Sequence, residues 1–348
     1  MTLVVYISGH GFGHASRTIE LMNTIGRLAP DARIVVRTAV ARALFERSAD
    51  VRLDVQPIDT DTGVAQIDSL HLDEDDTARR AAAFYRDFDR RVADEAAILG
   101  ATGASVVVGD IPPLAFAAAA RAGVTSVAVG NFTWDWIYAG YPAFARLAPD
   151  VIPRIGEAYA SADLALRLPM HGGFETMKTV TRDIPFIARR SVRDPAETRR
   201  TLGVAGDRPV VLTAFGGYGT RRLPIDEVTR SGRLAVIGGD TLPDGLRYPD
   251  LVAAADLVVG KPGYGIISEC LANGTPLLYT SRGRFVEYDV LVAEMPRVLR
   301  CRYLPQDDLL AGRWEPAVEA LLAQPAPPDR PRIDGAHVAA EAILNLVR

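Results

Sequence analysis

Two stretches carry residues whose types and spacing suit chemistry on a phosphorylated substrate. The first is Ser8-Gly9-His10-Gly11-Phe12-Gly13-His14, two histidines set among alternating glycines. An imidazole titrates near neutrality, so either ring could take a proton from a hydroxyl, or either could simply cap the segment that follows. The second is Gly260-Lys261-Pro262-Gly263-Tyr264-Gly265-Ile266. If a helix begins there, its unpaired N–H groups and positive dipole end at Gly265 and Ile266 favour a phosphate, and Lys261 adds a point charge. Glu269, about one turn further in, is spaced to accept both hydroxyls of a ribose, or else lies on a solvated face. A third loop, Phe215-Gly216-Gly217-Tyr218-Gly219-Thr220, can approach a phosphate by its backbone.

The elements that must hold these loops are legible as alternating strands and helices. Residues 2–7 form an apolar run that ends in the histidine loop, and residues 15–28 carry the 3.6-residue apolar period of a helix. Residues 33–37 follow as a second strand. Residues 51–55, 105–109, 126–129 and 163–168 read as further strands, residues 77–99 as one long helix, and residues 114–122 as a small-residue helix. Asp110 therefore leaves a strand on the same edge as His10 and His14. After residues 171–183, read as the passage between domains, the alternation restarts with strands at 184–188, 209–214, 234–237, 257–259 and 277–280 and a last helix at 336–347. Two such units with glycine loops on their strand ends imply two doubly wound α/β domains facing across a cleft.

Two further clusters are ambiguous by themselves. Asp59-Thr60-Asp61 has the form of a DxD metal motif but lacks the additional oxygens a hard cation wants, so it reads as a solvated or substrate-facing loop. The segment 131–141 holds five aromatics, including Trp134 and Trp136, and suits either a platform for a sugar or apolar acceptor or the core of a domain interface.

Bulk properties narrow the class. A chain of 348 residues suits two domains, and 48% hydrophobic with 24% charged residues is ordinary for a globular protein. A formal net charge of −4 disfavours a general nucleic-acid or anionic-membrane binder. The two cysteines, Cys270 and Cys301, have neither CxxC spacing nor a neighbouring histidine, so neither a disulfide framework nor a zinc site is indicated. No apolar run reaches membrane-spanning length, and a cytoplasmic location is expected. The first loop spaces its glycines as 9, 11 and 13 and no acid ends the second strand, which disfavours a nicotinamide or flavin enzyme.

Over nearly its whole length the chain resembles the GT-B glycosyltransferases. It is similar to the inverting N-acetylglucosaminyltransferase of peptidoglycan lipid intermediates and to UDP-dependent small-molecule glycosyltransferases. SGHGFGHASR, DTGVAQIDSL, NFTWDWIY and GKPGYGIISECLANGTPLLY also resemble the glycosyltransferase-like N-terminal region of plant L-arabinokinases, whose kinase half has no counterpart here. The resemblance implies a GT-B fold of two Rossmann-like domains, residues 1–183 on the acceptor side and 184–332 on the donor side, with residues 333–348 packing back on the first. It implies His14 as general base and Asp110 as its orienting acid, with His10, Gly11, Phe12, Gly13, Trp134 and Trp136 on the acceptor side. For the donor it implies Gly216, Gly217, Gly219, Gly263, Tyr264, Gly265 and Ile266 at the diphosphate. Glu269 would take the ribose, Tyr248 the base, and Glu287 and Asp289 the sugar.

Lys261 stands where related enzymes carry a histidine or arginine, Ile266 replaces a hydroxyl residue, and the sugar pair departs from the usual Asp-Gln. The expected activity is inverting, metal-independent transfer from a nucleotide diphosphate sugar, UDP favoured, to a hydroxyl of a small-molecule acceptor. No cofactor is expected beyond that donor substrate, and self-association is left open. A non-catalytic sugar-nucleotide-binding module and a UDP-sugar 2-epimerase are the alternatives the same architecture allows.

Overall fold

A computed structural model of the chain describes residues 1–68, 70–204, 206–216, 223–239 and 242–347. Among them the strands form two parallel sheets. The first contains β1 (Thr2–Ile7), β2 (Arg33–Thr38), β3 (Leu53–Pro57), β4 (Val106–Asp110), β5 (Ser126–Phe132), β6 (Leu164–Gly172) and β7 (Thr181–Asp183), in the order β3-β2-β1-β4-β5-β6-β7. The second contains β8 (Val210–Ala214), β9 (Ala235–Gly238), β10 (Leu257–Gly260), β11 (Leu277–Tyr279) and β12 (Cys301–Tyr303), in the order β12-β11-β10-β8-β9. The central strands are continuous Val, Ile and Leu runs because helices cover both faces, as parallel sheets require. The strand order reverses between β1 and β4 in one sheet and between β8 and β10 in the other. The histidine loop and Asp110 lie at the first of these points and Gly216 and Lys261 at the second, the places where open α/β sheets bind ligands.

Several sequence expectations are corrected. The helix expected over 77–99 is two helices, Glu74–Arg86 and Phe88–Thr102. At Asp87 the chain leaves helical geometry (φ −99°, ψ 12°), which lets Phe84, Tyr85 and Phe88 pack on one another. Residues 171–183 are not a passage between domains. β6 runs on to Gly172, a 3-10 turn spans Glu175–Val180, and β7 pairs with β6, so this segment completes the first sheet. The crossing comes after it, at 184–193. The strand expected at 184–188 is absent from this segment, which makes only an isolated bridge from Ile187 to Asp334, because Phe186 and its neighbours are occupied by the returning chain at Arg332.

The last helix, Gly335–Asn345, lays Ala336, Ala339, Ala340, Ile343 and Leu344 against the helix Phe12–Leu28 of the first lobe. Its apolar stripe repeats at three- and four-residue spacing, the pattern that buries one helix face. Among the described residues no helix is long and apolar enough to cross a membrane.

Candidate active site

His14 lies in the first turn of the helix Phe12–Leu28, three residues after its glycine cap Gly11, and is 5% exposed. Its Nδ1 meets Asp110 Oδ1 at 2.8 Å. Asp110 ends β4, the strand beside β1, so the parallel register alone carries both groups to one sheet edge. Arg17, one helical turn beyond His14, donates from Nε to Asp110 Oδ2 and from Nη2 to Oδ1, both at 2.6 Å, and Thr18 Oγ1 donates to Oδ2 at 2.7 Å. Burial pushes the Asp110 carboxyl up, but the Arg17 guanidinium, with His14 behind it, outweighs burial and holds the group down at about 2. Arg17 Nη2 also lies 3.0 Å from His14 Nδ1, but it already donates to Asp110 Oδ1, and the nearer carboxylate oxygen at 2.8 Å is the partner that places the proton on Nδ1 and leaves Nε2 as the basic atom.

His10 is held differently. The Val64 N–H donates to its Nδ1 at 3.2 Å, and Gly63 is obligatory beside it: a Cβ there would fall 2.7 Å from that nitrogen, and its φ is +58°. Burial, then the charges of Arg282, His14 and Lys261, lower the His10 pKa well below its ordinary value. A neutral ring accepting at Nδ1 carries its proton on Nε2, so His10 is a donor and not the base. It lies parallel to Phe285 with centroids 5.6 Å apart and edge-on to Trp134 at 5.4 Å.

The aromatic segment resolves as core. Trp134 is fully buried, its Nε1 donates to Asp61 at 2.9 Å, and it stacks on Tyr138, which stacks on Phe144. It walls the histidine loop from behind instead of offering an open platform. Trp136 lies against Gly172, where a Cβ would meet its ring. Trp136 is half-buried, and Phe12 in the histidine loop is half exposed. Of the DxD-like triplet, Asp61 is taken by Trp134 and Thr60 donates to the Ile7 carbonyl at 2.9 Å, so the loop is tied down at the end of β1 while Asp59 faces solvent.

On the second lobe the helix Tyr264–Asn273 starts at Gly263 with no side-chain cap. Its first turn sits against the histidine loop: a Cβ on Gly265 would lie 2.9 Å from Gly13 Cα, so the two helix starts meet backbone to backbone. Gly263, Tyr264 and Ile266 are placed with them, and Gly216 lies close enough that a Cβ on it would be 3.9 Å from Lys261 Cε. Gly217 and Gly219 fall outside the described residues. Burial, and after it the Arg282 charge, lower Lys261 to about 7. Lys261 and Arg282 line a cleft with Gln66, Asp68 and His71 of the first lobe.

The residues expected to contact the ribose, the base and the sugar are placed as follows. Glu269 is 3% exposed and its Oε1 accepts from Arg189 Nε at 2.7 Å and also from Nη2, so one of its two oxygens is committed to that guanidinium. Its neighbour Asn273 donates to the Arg189 carbonyl, which makes this end of the helix an anchor for the interdomain crossing. Asp289 is exposed on the helix Glu287–Val298 whereas Glu287, two residues earlier, is buried against Asn131 and Arg282, because positions two apart face different ways on a helix. Tyr248 begins the helix Tyr248–Ala254, half-buried, with its hydroxyl near Gly239 beyond β9.

Sequence reasoning missed Arg17, Asn131, Arg189 and Arg282. Arg17 alone left a signal, a cation one turn after His14 on an otherwise amphipathic helix. The rest meet their partners across 80 or more residues, apart from Arg282 and Glu287, and no local pattern announces such pairs.

Two lobes with parallel sheets, paired at their switch-point loops and closed by a C-terminal helix returning to the first lobe, match solved structures along the full chain. The glycotransferase of kitacinnamycin aligns at a TM-score of 0.62 with 17% identity, covering 100% of this chain and 98% of that one. The chain has the GT-B fold. A UDP-N-acetylglucosamine 2-epimerase from Listeria monocytogenes, described as putative, shares this GT-B architecture at a TM-score of 0.56 with 13% identity, covering 99% and 94%. In sequence, the chain is 31% identical over 340 residues to an L-arabinokinase of Arabidopsis thaliana, covering 92% of this chain and 32% of that protein. It is also 31% identical over 224 residues to a UDP-N-acetylglucosamine–N-acetylmuramyl-(pentapeptide) pyrophosphoryl-undecaprenol N-acetylglucosamine transferase of Clavibacter michiganensis subsp. michiganensis, covering 57% of each. The chain thus spans about a third of the plant relative and somewhat over half of the bacterial one. No protein-family model matches it.

Proposed function

We propose that this GT-B protein is a glycosyltransferase that moves a sugar from a nucleoside diphosphate to an acceptor hydroxyl with inversion at the anomeric carbon. The observation that carries the reading is the buried His14–Asp110 pair, set on the edge of one lobe directly against the helix start of the other. His14 Nε2 takes the proton of the acceptor hydroxyl as its oxygen forms a bond to C1 of the sugar. The C1–O bond to the diphosphate breaks, and the nucleoside diphosphate leaves with the electron pair. Asp110 stabilises the imidazolium that results. In this reading the N–H groups at Gly265 and Ile266, with Lys261, stabilise the charge that develops on the leaving diphosphate. UDP is the favoured carrier because the bacterial relative's name specifies a UDP sugar. Glu269 is left out of the ribose assignment in view of its pairing with Arg189.

The test is His14→Ala with a panel of UDP sugars and alcohol or phenol acceptors. Loss of about 10²-fold or more in transfer with UDP binding intact supports a general base, and near wild-type transfer removes it. The epimerase neighbour gives a second outcome a meaning: sugar interconversion with the donor alone would reassign the chain. Binding of UDP without turnover of any sugar would leave a sugar-nucleotide-binding module.

A further inference from the structure

Six side chains form one hydrogen-bonded chain from the imidazole of His14 across the boundary between the lobes. His14 Nδ1 meets Asp110 at 2.8 Å, and Arg17 clasps Asp110 through Nε and Nη2. The remaining nitrogen of the same guanidinium, Nη1, donates to Asn131 Oδ1 at 2.6 Å. Asn131 Nδ2 then donates to Glu287 Oε1 at 2.7 Å, and Glu287 Oε2 accepts from Arg282 Nη1 at 3.1 Å. Asn131 is fully buried, and Arg17 and Glu287 are each 4% exposed. The step from Asn131 to Glu287 is where the chain passes from the first lobe to the second.

The chemistry fixes each link. Arginine only donates and an ionised glutamate only accepts, so the Asn131 amide has one satisfactory orientation, oxygen toward Arg17 and nitrogen toward Glu287. A guanidinium is a rigid planar fork, so anchoring Nη1 sets the plane in which Nε and Nη2 hold Asp110. Asn131 itself sits in a register shift of the β5–β6 pairing between Gly130 and Phe132, the kind of irregularity that re-aims a strand side chain. Parting the lobes would leave the amide donor unpaired and free the Asn131 side chain to turn, which loosens its hold on Arg17 Nη1.

We propose that Asn131 and Glu287 are positioning residues that make the alignment of His14 depend on the closed arrangement of the lobes. Proton abstraction is then competent only when water is excluded and both substrates are enclosed. The proposal rests on the reading of His14 as the base.

The test uses the full chain labelled with 15N in its histidine rings, of which there are five, with His14 identified by its absence in His14→Gln. In the wild type the His14 Nδ1 proton is expected as a slowly exchanging downfield signal. Asn131→Ala and Glu287→Ala each shift and broaden it, the double variant no further than either single one, and Glu287→Gln, which keeps an oxygen for Asn131, restores most of it. In turnover of a UDP sugar, each alanine variant lowers kcat on the order of 10²-fold with the donor KM little changed. A Glu287→Ala protein whose His14 signal coincides with that of the wild type overturns the proposal. Should Asn131→Ala fail to fold, Glu287→Ala on the opposite lobe carries the test alone. Undiminished turnover in His14→Ala would remove the base reading, while the ring signal still decides whether the two lobes are coupled.

Discussion

Arg17 reaches Asp110 with two nitrogens and Asn131 with the third, and all three side chains are buried. Replacing one partner of a buried ion pair leaves the other charge uncompensated, so Arg17→Met is expected to cost about 3–5 kcal/mol in a urea melt near neutral pH. The pH dependence follows from Asp110, whose folded value of about 2 lies below the ordinary 3.8. The stability it contributes is fully present above 3.8 and lost as pH falls toward 2, so the gap between wild type and Arg17→Met narrows over that window. Lys261 gives the opposite sign. Lowered to about 7 from 10.5, it releases its proton in the folded protein first, so its contribution to stability rises with pH between those two values. Binding of UDP should weaken as pH climbs through about 7 and take up a proton. Lys261→Arg keeps its charge and should flatten that profile, which calorimetry in two buffers of different ionisation enthalpy reads directly.

At the scale of elements, the site is made where the starts of two helices touch. The helices Phe12–Leu28 and Tyr264–Asn273 belong to different sheets, and Gly13 and Gly265 allow their backbones to meet. A methyl at Gly265 would press on backbone that has no side chain to swing away. Gly265→Ala is therefore expected to cost about 1–3 kcal/mol of lobe association. Small-angle scattering should show a larger radius of gyration and melts should show each lobe folded, while a scattering profile identical to the wild type would argue that this contact does not govern closure. The segment 59–72 packs against the same region through its described residues. Thr60 ties it to β1, Asp61 to Trp134, and Leu70 reaches the turn at Gly283 on the other lobe.

For the molecule as a whole, the last helix decides how the lobes stay joined. The chain crosses once at 184–193 and returns at 332–335, so the helix Gly335–Asn345 fixes the second crossing to the first lobe. Ile343 is fully buried against that lobe. Ile343→Ala should cost about 2–5 kcal/mol, visible as a lower melting temperature, and a shift no larger than that of a surface substitution would mean that the C-terminal helix is dispensable for the fold.

The sequence by itself determined what depends on near neighbours: the alternation of strands and helices, the glycine loops at strand ends, and the presence of His14 and Asp110 on one sheet edge. These follow from hydrophobic period and from the rule that parallel strands bring their C-terminal ends to one side. It could not separate a strand from the extended crossing at 184–188, because both are short, apolar and extended, and only a hydrogen-bonding neighbour distinguishes them. Nor could it say that Glu269 faces Arg189 or that Glu287 faces Asn131, since the partners lie 80 and 156 residues away. Those pairings were decided by the approach of the two lobes. A buried carboxylate must find a donor, and which donor it finds is a property of tertiary packing, not of the residues beside it in the chain.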